Sequence, residues 1–344
     1  MSRKERVAGR RDEPSVEGGS GNQAVRVMMR RLRPVGPEIV VTLLLIAGFG
    51  VSSALSPFFL NADFLFRQAL LYMEIGIIAL GETFVMISGN LDLSIAGNLA
   101  MVACVSAFLN GQVGIPMEYC IAIGLALGTA AGALNGFFVA KLGLPSLTVT
   151  IATMALYRGV AQILLGDHSI QRFPPWFLGI DRRVIPGTPI PAPFLIFLLI
   201  AVVLGLVLHF TVLGRWVYSI GISSKASYYS GVPTRRVKMA LFTLSGFFAG
   251  FAGLMLDSRL LVARYDHGTG WELQAITAVV LGGVSISGGR GTVLGTVVAL
   301  LLIAVIQTGM GVANVKVESQ LAVVGALLVA SVLLSNVLAA RKKR

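Results

Sequence analysis

The chain has 344 residues, 55% hydrophobic and only 13% charged, with a mean hydropathy of +0.81, whereas soluble domains carry about 25% charged residues. So few charges cannot cover the surface of a soluble fold of this length, so a soluble enzyme or binding module is excluded and lipid is the expected solvent. The net charge of +12 lies in three clusters, Arg3 to Arg33, Arg215 to Lys238 and Arg341 to Arg344. That distribution marks cytoplasmic segments of a membrane protein, with no nucleic-acid footprint.

In chain order, residues 1–36 are polar, with the flexible run Gly18 to Asn22 and no apolar core long enough for export. They are expected to form a disordered cytoplasmic tail, which leaves insertion to the first apolar span. Ten apolar runs long enough to cross about 30 Å of hydrocarbon follow at 39–56, 68–88, 93–109, 119–140, 147–165, 193–213, 239–257, 271–289, 292–312 and 319–338. The fold class expected is all-α: a polytopic membrane helical bundle of about ten transmembrane helices, with one or two broken or re-entrant segments around Gly89 and Gly288. Residues 37–338 form the membrane domain and 339–344 a basic cytoplasmic tail. With the N-terminus inside, six crossings bring the basic loop at 213–238 to the cytoplasm, and four more bring the C-terminal Arg-Lys-Lys-Arg there. The outer loop at 166–192, with Asp167, Arg172, Asp181, Arg182 and Arg183, is mixed in sign and rich in turns.

Gly124, Gly128, Gly132 and Gly136 recur at fourfold spacing, which suits close approach of helix backbones. Cys104 and Cys120 lie in or beside apolar spans and read as buried thiols, not as a disulfide or metal framework. A short similarity links Ala79–Ala100 with Val280–Leu301, each with an Ile-Ser-Gly core.

No catalytic constellation is found: His168, His209 and His267 lie far apart, and neither HExxH nor a nucleophile elbow occurs. The glycines of Gly283 to Thr292 have the spacing of a phosphate-binding loop. That chemistry, however, needs Lys and then Ser or Thr after the second glycine, and Gly289 and Arg290 stand there. The chain is expected to bind no cofactor and no metal, and any ATP is hydrolysed by a partner. Ionisable residues within apolar spans are Glu74, Glu82, Asp92, Arg158, Asp257 and Glu272. Each is either an interior hydrogen-bonding or capping group or a contact for a transported solute or ion. Glu82 and Arg158 lie deepest by sequence position, and Asp257 and Glu272 nearest an interface. Within 213–238, a short helix is expected around Ser224–Tyr229, with Ser223 or Ser224 as N-cap and Gly231 as the stop. It is a docking element or a solvated loop.

Four stretches carry a resemblance over roughly residues 40–338. Ser88-Gly-Asn-Leu-Asp-Leu-Ser-Ile-Ala-Gly97 is similar to a Gly-Gly-Ile-Asp-Leu-Ser-Val-Gly segment. Asn135-Gly136 through Lys141, Pro145, Thr150, Thr153, Arg158 and Gly159 keeps a matching spacing. Leu213–Lys238 looks like a cytoplasmic coupling loop, and Ala275–Gly295 resembles the most recognisable signature. Together they resemble the permeases of the ribose, rhamnose and autoinducer-2 importers, a branch of the bacterial ATP-binding cassette systems. Asn90 and Ala96 stand where that family has glycine, and Ala226-Ser-Tyr-Tyr229 replaces its Ala-Ala-Thr-Arg.

The resemblance implies an importer in the bacterial inner membrane with two permease subunits, identical or paralogous, two cytoplasmic ATPases and an external sugar-binding protein. The solute would be rhamnose, a pentose or autoinducer-2, moved by alternating access. The path residues expected, from the ionisable positions and the 88–97 segment together, are Glu82, Asn90, Asp92, Ser94 and Arg158. The coupling residues are Ser224, Lys225, Ala226, Ser227, Tyr228, Tyr229, Ser230 and Gly231. An ion-coupled secondary transporter using Glu82, Asp92 or Arg158 is the other reading.

Overall fold

A computed structural model describes residues 37–55, 59–177, 184–185 and 187–341, with side chains given to residue 330 except those of Pro37 and Leu55. The expected tail at 1–36, the charged residues 181–183 and the last three basic residues lie outside the described residues.

Among the described residues, thirteen helices follow one another: α1 Pro37–Leu55, α2 Ala62–Leu70, α3 Met73–Ile87, α4 Ile95–Phe108, α5 Met117–Gly136, α6 Ser146–Leu165, α7 Ala192–Phe210, α8 Val212–Ile222, α9 Ser224–Tyr229, α10 Thr234–Leu260, α11 Trp271–Leu281, α12 Val293–Val312 and α13 Val317–Arg341. Single π-helical turns, Leu109–Val113 and Phe137–Lys141, extend α4 and α5. Among the described residues, the extended pairing is confined to two isolated bridges.

Six helices, α4, α5, α6, α7, α10 and α12, are long and apolar enough to cross a membrane, and α2 with α3 makes a seventh span bent by 57°. The apolar helices Glu38–Ala54, Trp271–Leu281 and Val317–Ala330 are shorter. The ten apolar runs thus appear as helices, but two differ in form from the expectation. The run at 68–88 is broken at Leu71 and Tyr72, where the N–H groups of both residues bond back three residues, to Gln68 and Ala69, and tighten the last turn of α2. The run at 271–289 is helical only to Leu281, about 16 Å of rise, because Gly283, Gly288, Gly289 and Gly291 all take positive φ, which side chains with a Cβ rarely adopt.

Every residue of α3 is buried, and 67% of the apolar window is buried in each of α4, α10 and α12, against 28–33% in α5, α6 and α7. Four helices therefore make the centre and three face outward over most of their surface. Lipid tails are as apolar as leucine, so close packing has to do what the hydrophobic effect does in water. The glycine stripe does this: a Cβ on Gly128 would lie 2.9 Å from the Gly246 carbonyl oxygen, and one on Gly136 would lie 3.0 Å from Met239 Cα. α5 and α10 cross backbone to backbone, as the fourfold spacing predicts.

Candidate functional site

The turn between α3 and α4 holds the densest polar group in the centre of the bundle. Asp92 is 1% exposed and its carboxylate is filled from three sides. Oδ1 accepts from the Ser94 amide at 3.0 Å and the Ser94 hydroxyl at 2.6 Å, and Oδ2 from the Ser245 hydroxyl of α10 at 2.9 Å. Ser94 in turn accepts from Asn135 Nδ2 of α5 at 2.7 Å, and the Tyr157 hydroxyl of α6 donates to Asn135 Oδ1 at 3.3 Å and the Ala131 carbonyl at 2.8 Å. The network centred on one carboxylate thus ties three helices, α5, α6 and α10, to one turn. Such a buried network is stable only when its members are satisfied.

Glu82, fully buried on α3, accepts the Asp92 amide on Oε1 at 3.1 Å. Its Oε2 has no hydrogen-bond partner. Asn98, one turn into α4, donates to the Gly128 and Gly246 carbonyls at 3.1 and 3.2 Å and leaves Oδ1 without a partner. The two spare oxygens are acceptors in the interior, and the donors of a hydroxylated solute are what acceptors bind. Asn90 turns back on its own segment, donating to Ser88 Oγ at 2.9 Å.

The end of α11 repeats the end of α3. The N–H groups of Ser88, Gly89 and Asn90 bond to the carbonyls of Phe84, Met86 and Val85, and those of Gly282, Gly283 and Val284 to Ala278, Val280 and Val279. Both are left-handed glycine caps with a six-to-one bond. The internal similarity is therefore a repeated helix ending in the register Ser88-Gly89-Asn90 on Gly282-Gly283-Val284, which replaces the expected Ile-Ser-Gly on Ile-Ser-Gly.

The two loops touch. Gly289 N donates to the Ile87 carbonyl at 2.8 Å, and a Cβ on Gly288 would lie 2.7 Å from Gly89 Cα. α8 closes the junction: a Cβ on Gly221 would run into both the Ile87 carbonyl oxygen and the Gly289 amide nitrogen. The Tyr218 hydroxyl, one turn earlier, donates to the Gly291 carbonyl at 2.7 Å.

The segment read as a coupling loop is mostly helical. α8 starts at Thr211, whose side chain accepts the Gly214 amide, and α9 at Ser223, whose hydroxyl accepts the Ala226 amide at 3.2 Å. Gly231 has φ +85° beyond its end, so the expected short helix has the expected cap and stop. Ser227 is its buried face. Lys225, Ala226, Tyr228, Tyr229 and Ser230 are exposed, Tyr228 by 62% and Tyr229 by 77%, and Ser224 is half-buried.

Arg158 does not join the Asp92 group. It lies three turns along α6 from Ser146, and its Nη1 donates to the Tyr265 and His267 carbonyls at 2.9 and 3.3 Å and to Thr269 Oγ1 at 2.9 Å. It holds down the loop between α10 and α11. In that loop Arg264 grips Asp266 through two hydrogen bonds and keeps its carboxyl below the ordinary range. Nearby, Arg259 pairs with buried Glu74, and Asp257, three residues from the end of α10, is wholly buried with neither oxygen hydrogen-bonded. Among the described residues, no group of three or more His, Cys, Asp or Glu side chains is placed to hold a metal ion.

Residues 64–332 match the family model described as the branched-chain amino acid transport system / permease component. The chain belongs to this permease family. It is 34% identical over 303 residues to the autoinducer 2 import system permease protein LsrD of Photorhabdus laumondii, covering 86% of this chain and 90% of that one. It is likewise 34% identical over 300 residues, at the same coverage, to the proteins of that name from Escherichia coli and Shigella flexneri. No solved structure matches significantly. The chain is thus a multi-pass membrane permease component of an ATP-binding cassette importer, and its relatives are transport subunits, not enzymes.

The matched region of the permease begins within α2 and ends within α13, so it takes in both glycine-capped loops, α8 and α9. Sequence reasoning passed over Gly221, Ser245, Asn98 and Tyr218. Ser245 and Asn98 sit in apolar helices with no local motif, and the partner of Ser245 and the farther of the two partners of Asn98 lie 153 and 148 residues away. For Gly221, the run of glycines after Leu281 offered a signal that a second backbone passes close by.

Proposed function

We propose that this permease forms the path by which autoinducer-2, or a sugar-like solute of similar size and hydroxyl content, enters a bacterial cell. It would be driven by a separate ATPase and fed by a periplasmic binding protein. The relatives' names support the solute class. Gly289 and Arg290, in place of the Lys and Ser or Thr of a phosphate-binding loop, support the assignment of ATP hydrolysis to another chain. The positive clusters support a cytoplasmic-membrane topology with both ends inside. A second permease subunit, a copy or a paralogue, completes the pathway.

The observation that carries the mechanism is Gly221. α9 offers Ala226, Tyr228 and Tyr229 to a docking ATPase, and α8 runs from it onto the Ile87 to Gly289 hydrogen bond with no room for a methyl group. Movement of α9 is therefore delivered to both glycine-capped loops at once, and these loops close the inner end of the central helices. When they part, Glu82 Oε2 and Asn98 Oδ1 are acceptors available to the solute, and the filled Asp92 carboxylate keeps the α3–α4 turn in shape. Arg158 holds the opposite, outer loop.

Ala226→Arg tests the docking surface. Ala226 is exposed on α9, so an arginine leaves the fold intact and places a long charged group in the contact. Retention of the ATPase through purification should fall by at least about tenfold, the loss expected when a charge is left unpaired in an interface, with unchanged membrane abundance. Unchanged retention together with unchanged uptake would rule out α9 as the docking element.

A further inference from the structure

We infer that the cytoplasmic half of α10 carries a binding site for one anionic phospholipid of the inner leaflet. A groove of about 500 Å³ is lined by Arg236, Met239, Ala240, Thr243, Leu244 and Phe247 of α10, with Thr129 of α5 as its other wall. The α10 residues fall at steps of three and four along one stripe of the helix. From Arg236 to Phe247 is 11 residues, or about 16 Å of rise, which matches half of the roughly 30 Å hydrocarbon layer. The groove is therefore as long as one leaflet is deep.

Its chemistry changes once along that length. Thr129 Oγ1 is spent on the Leu125 carbonyl at 2.6 Å, and Thr243 Oγ1 on the Met239 carbonyl at 2.8 Å. Both threonines thus present methyl groups, and below Arg236 the wall is apolar throughout. A sugar would find no partner there, but an acyl chain would. At the cytoplasmic mouth, Arg236 is exposed and is not among the ion pairs of the described residues. A guanidinium takes a phosphate by two parallel hydrogen bonds. Arg235 and Lys238 stand beside it, and the anionic leaflet lies on the side where the basic clusters place this end of α10. One charged lining residue at the mouth of an apolar groove one leaflet long fits a phospholipid with its phosphate on Arg236 and one chain laid along Thr243 to Phe247.

The test uses the full chain purified in neutral detergent, with retained lipid read by native mass spectrometry. Phosphatidylglycerol should be retained about tenfold more strongly than phosphatidylcholine of the same chains, the step expected of one charge-assisted contact. Arg236→Gln should abolish that preference, and Arg236→Lys, which keeps the charge but not the bidentate geometry, should retain part of it. Thr243→Trp, which fills the groove, should weaken retention of both lipids. Inorganic phosphate at millimolar concentration should not compete, because the groove supplies the rest of the affinity. Equal retention of the two lipids by the parent chain would overturn the site, as would a preference that survives Arg236→Gln or displacement by inorganic phosphate alone. So would efficient cross-linking of Thr243→Cys between two copies without bound lipid, which would assign the groove to a second permease.

Discussion

Gly221→Ala is expected to reduce ATP-driven uptake by at least about tenfold while leaving the ATPase bound. The added methyl group has nowhere to go: it meets the Ile87 carbonyl and the Gly289 amide, which are themselves hydrogen-bonded to each other at 2.8 Å. Both are main-chain atoms and cannot rotate away, so α8 has to lift off the junction. Overpacking of this kind costs about 1–3 kcal/mol in a well-packed core, enough to displace a surface helix but not to unfold a bundle. The docking face of α9 is unaltered, so hydrolysis should continue without transport. Gly159→Ala supplies the control: a Cβ there has nothing within 4 Å, and alanine is the better helix former by about 1 kcal/mol. The measurement is the ratio of solute imported to ATP hydrolysed. Equal ratios for Gly221→Ala and Gly159→Ala would mean that α8 does not transmit the stroke.

Asp92→Ala should cost both uptake and folded protein. The alanine leaves the Ser94 amide, the Ser94 hydroxyl and the Ser245 hydroxyl without their acceptor in a region 1–2% exposed. Each unsatisfied buried group costs about 1–3 kcal/mol, so a total loss of roughly 2–5 kcal/mol is expected after relaxation. Asp92→Asn should separate structure from charge. Its oxygen can still accept from Ser94, and its amide can donate to Ser245 Oγ in place of accepting from it. Abundance in the membrane should then recover to near the parent level, with uptake recovering with it. If Asp92→Ala instead keeps full abundance and loses only uptake, the carboxylate meets the solute directly and is not a positioning group.

The features legible in the sequence are those written within one turn or one helix. Ser223 and Gly231 bracket α9 because a cap and a stop need only neighbours, and the glycine stripe of α5 announces a close crossing through its spacing alone. Asp92 and Ser94 lie two residues apart and form their bond locally. The bend at Leu71 and Tyr72 has no proline or glycine to mark it, since it comes from two short backbone bonds at the end of α2. Arg158 looked deep by its place in α6, yet its partners Tyr265, His267 and Thr269 are 107 to 111 residues further on. Periodicity cannot report a partner at that distance. Gly221 is the sharpest case: its neighbours Ile87 and Gly289 come from the end of α3 and the loop after α11, and its importance lies in the side chain it lacks.

Uptake in proteoliposomes tests the central claim, that this permease is a conduit moved by an external motor. Liposomes holding the permease with its ATPase should import solute delivered by the binding protein only when ATP is present, and should import none when the permease alone is given a proton or sodium gradient. Gradient-driven uptake by the permease alone, abolished by Glu82→Gln, would contradict it.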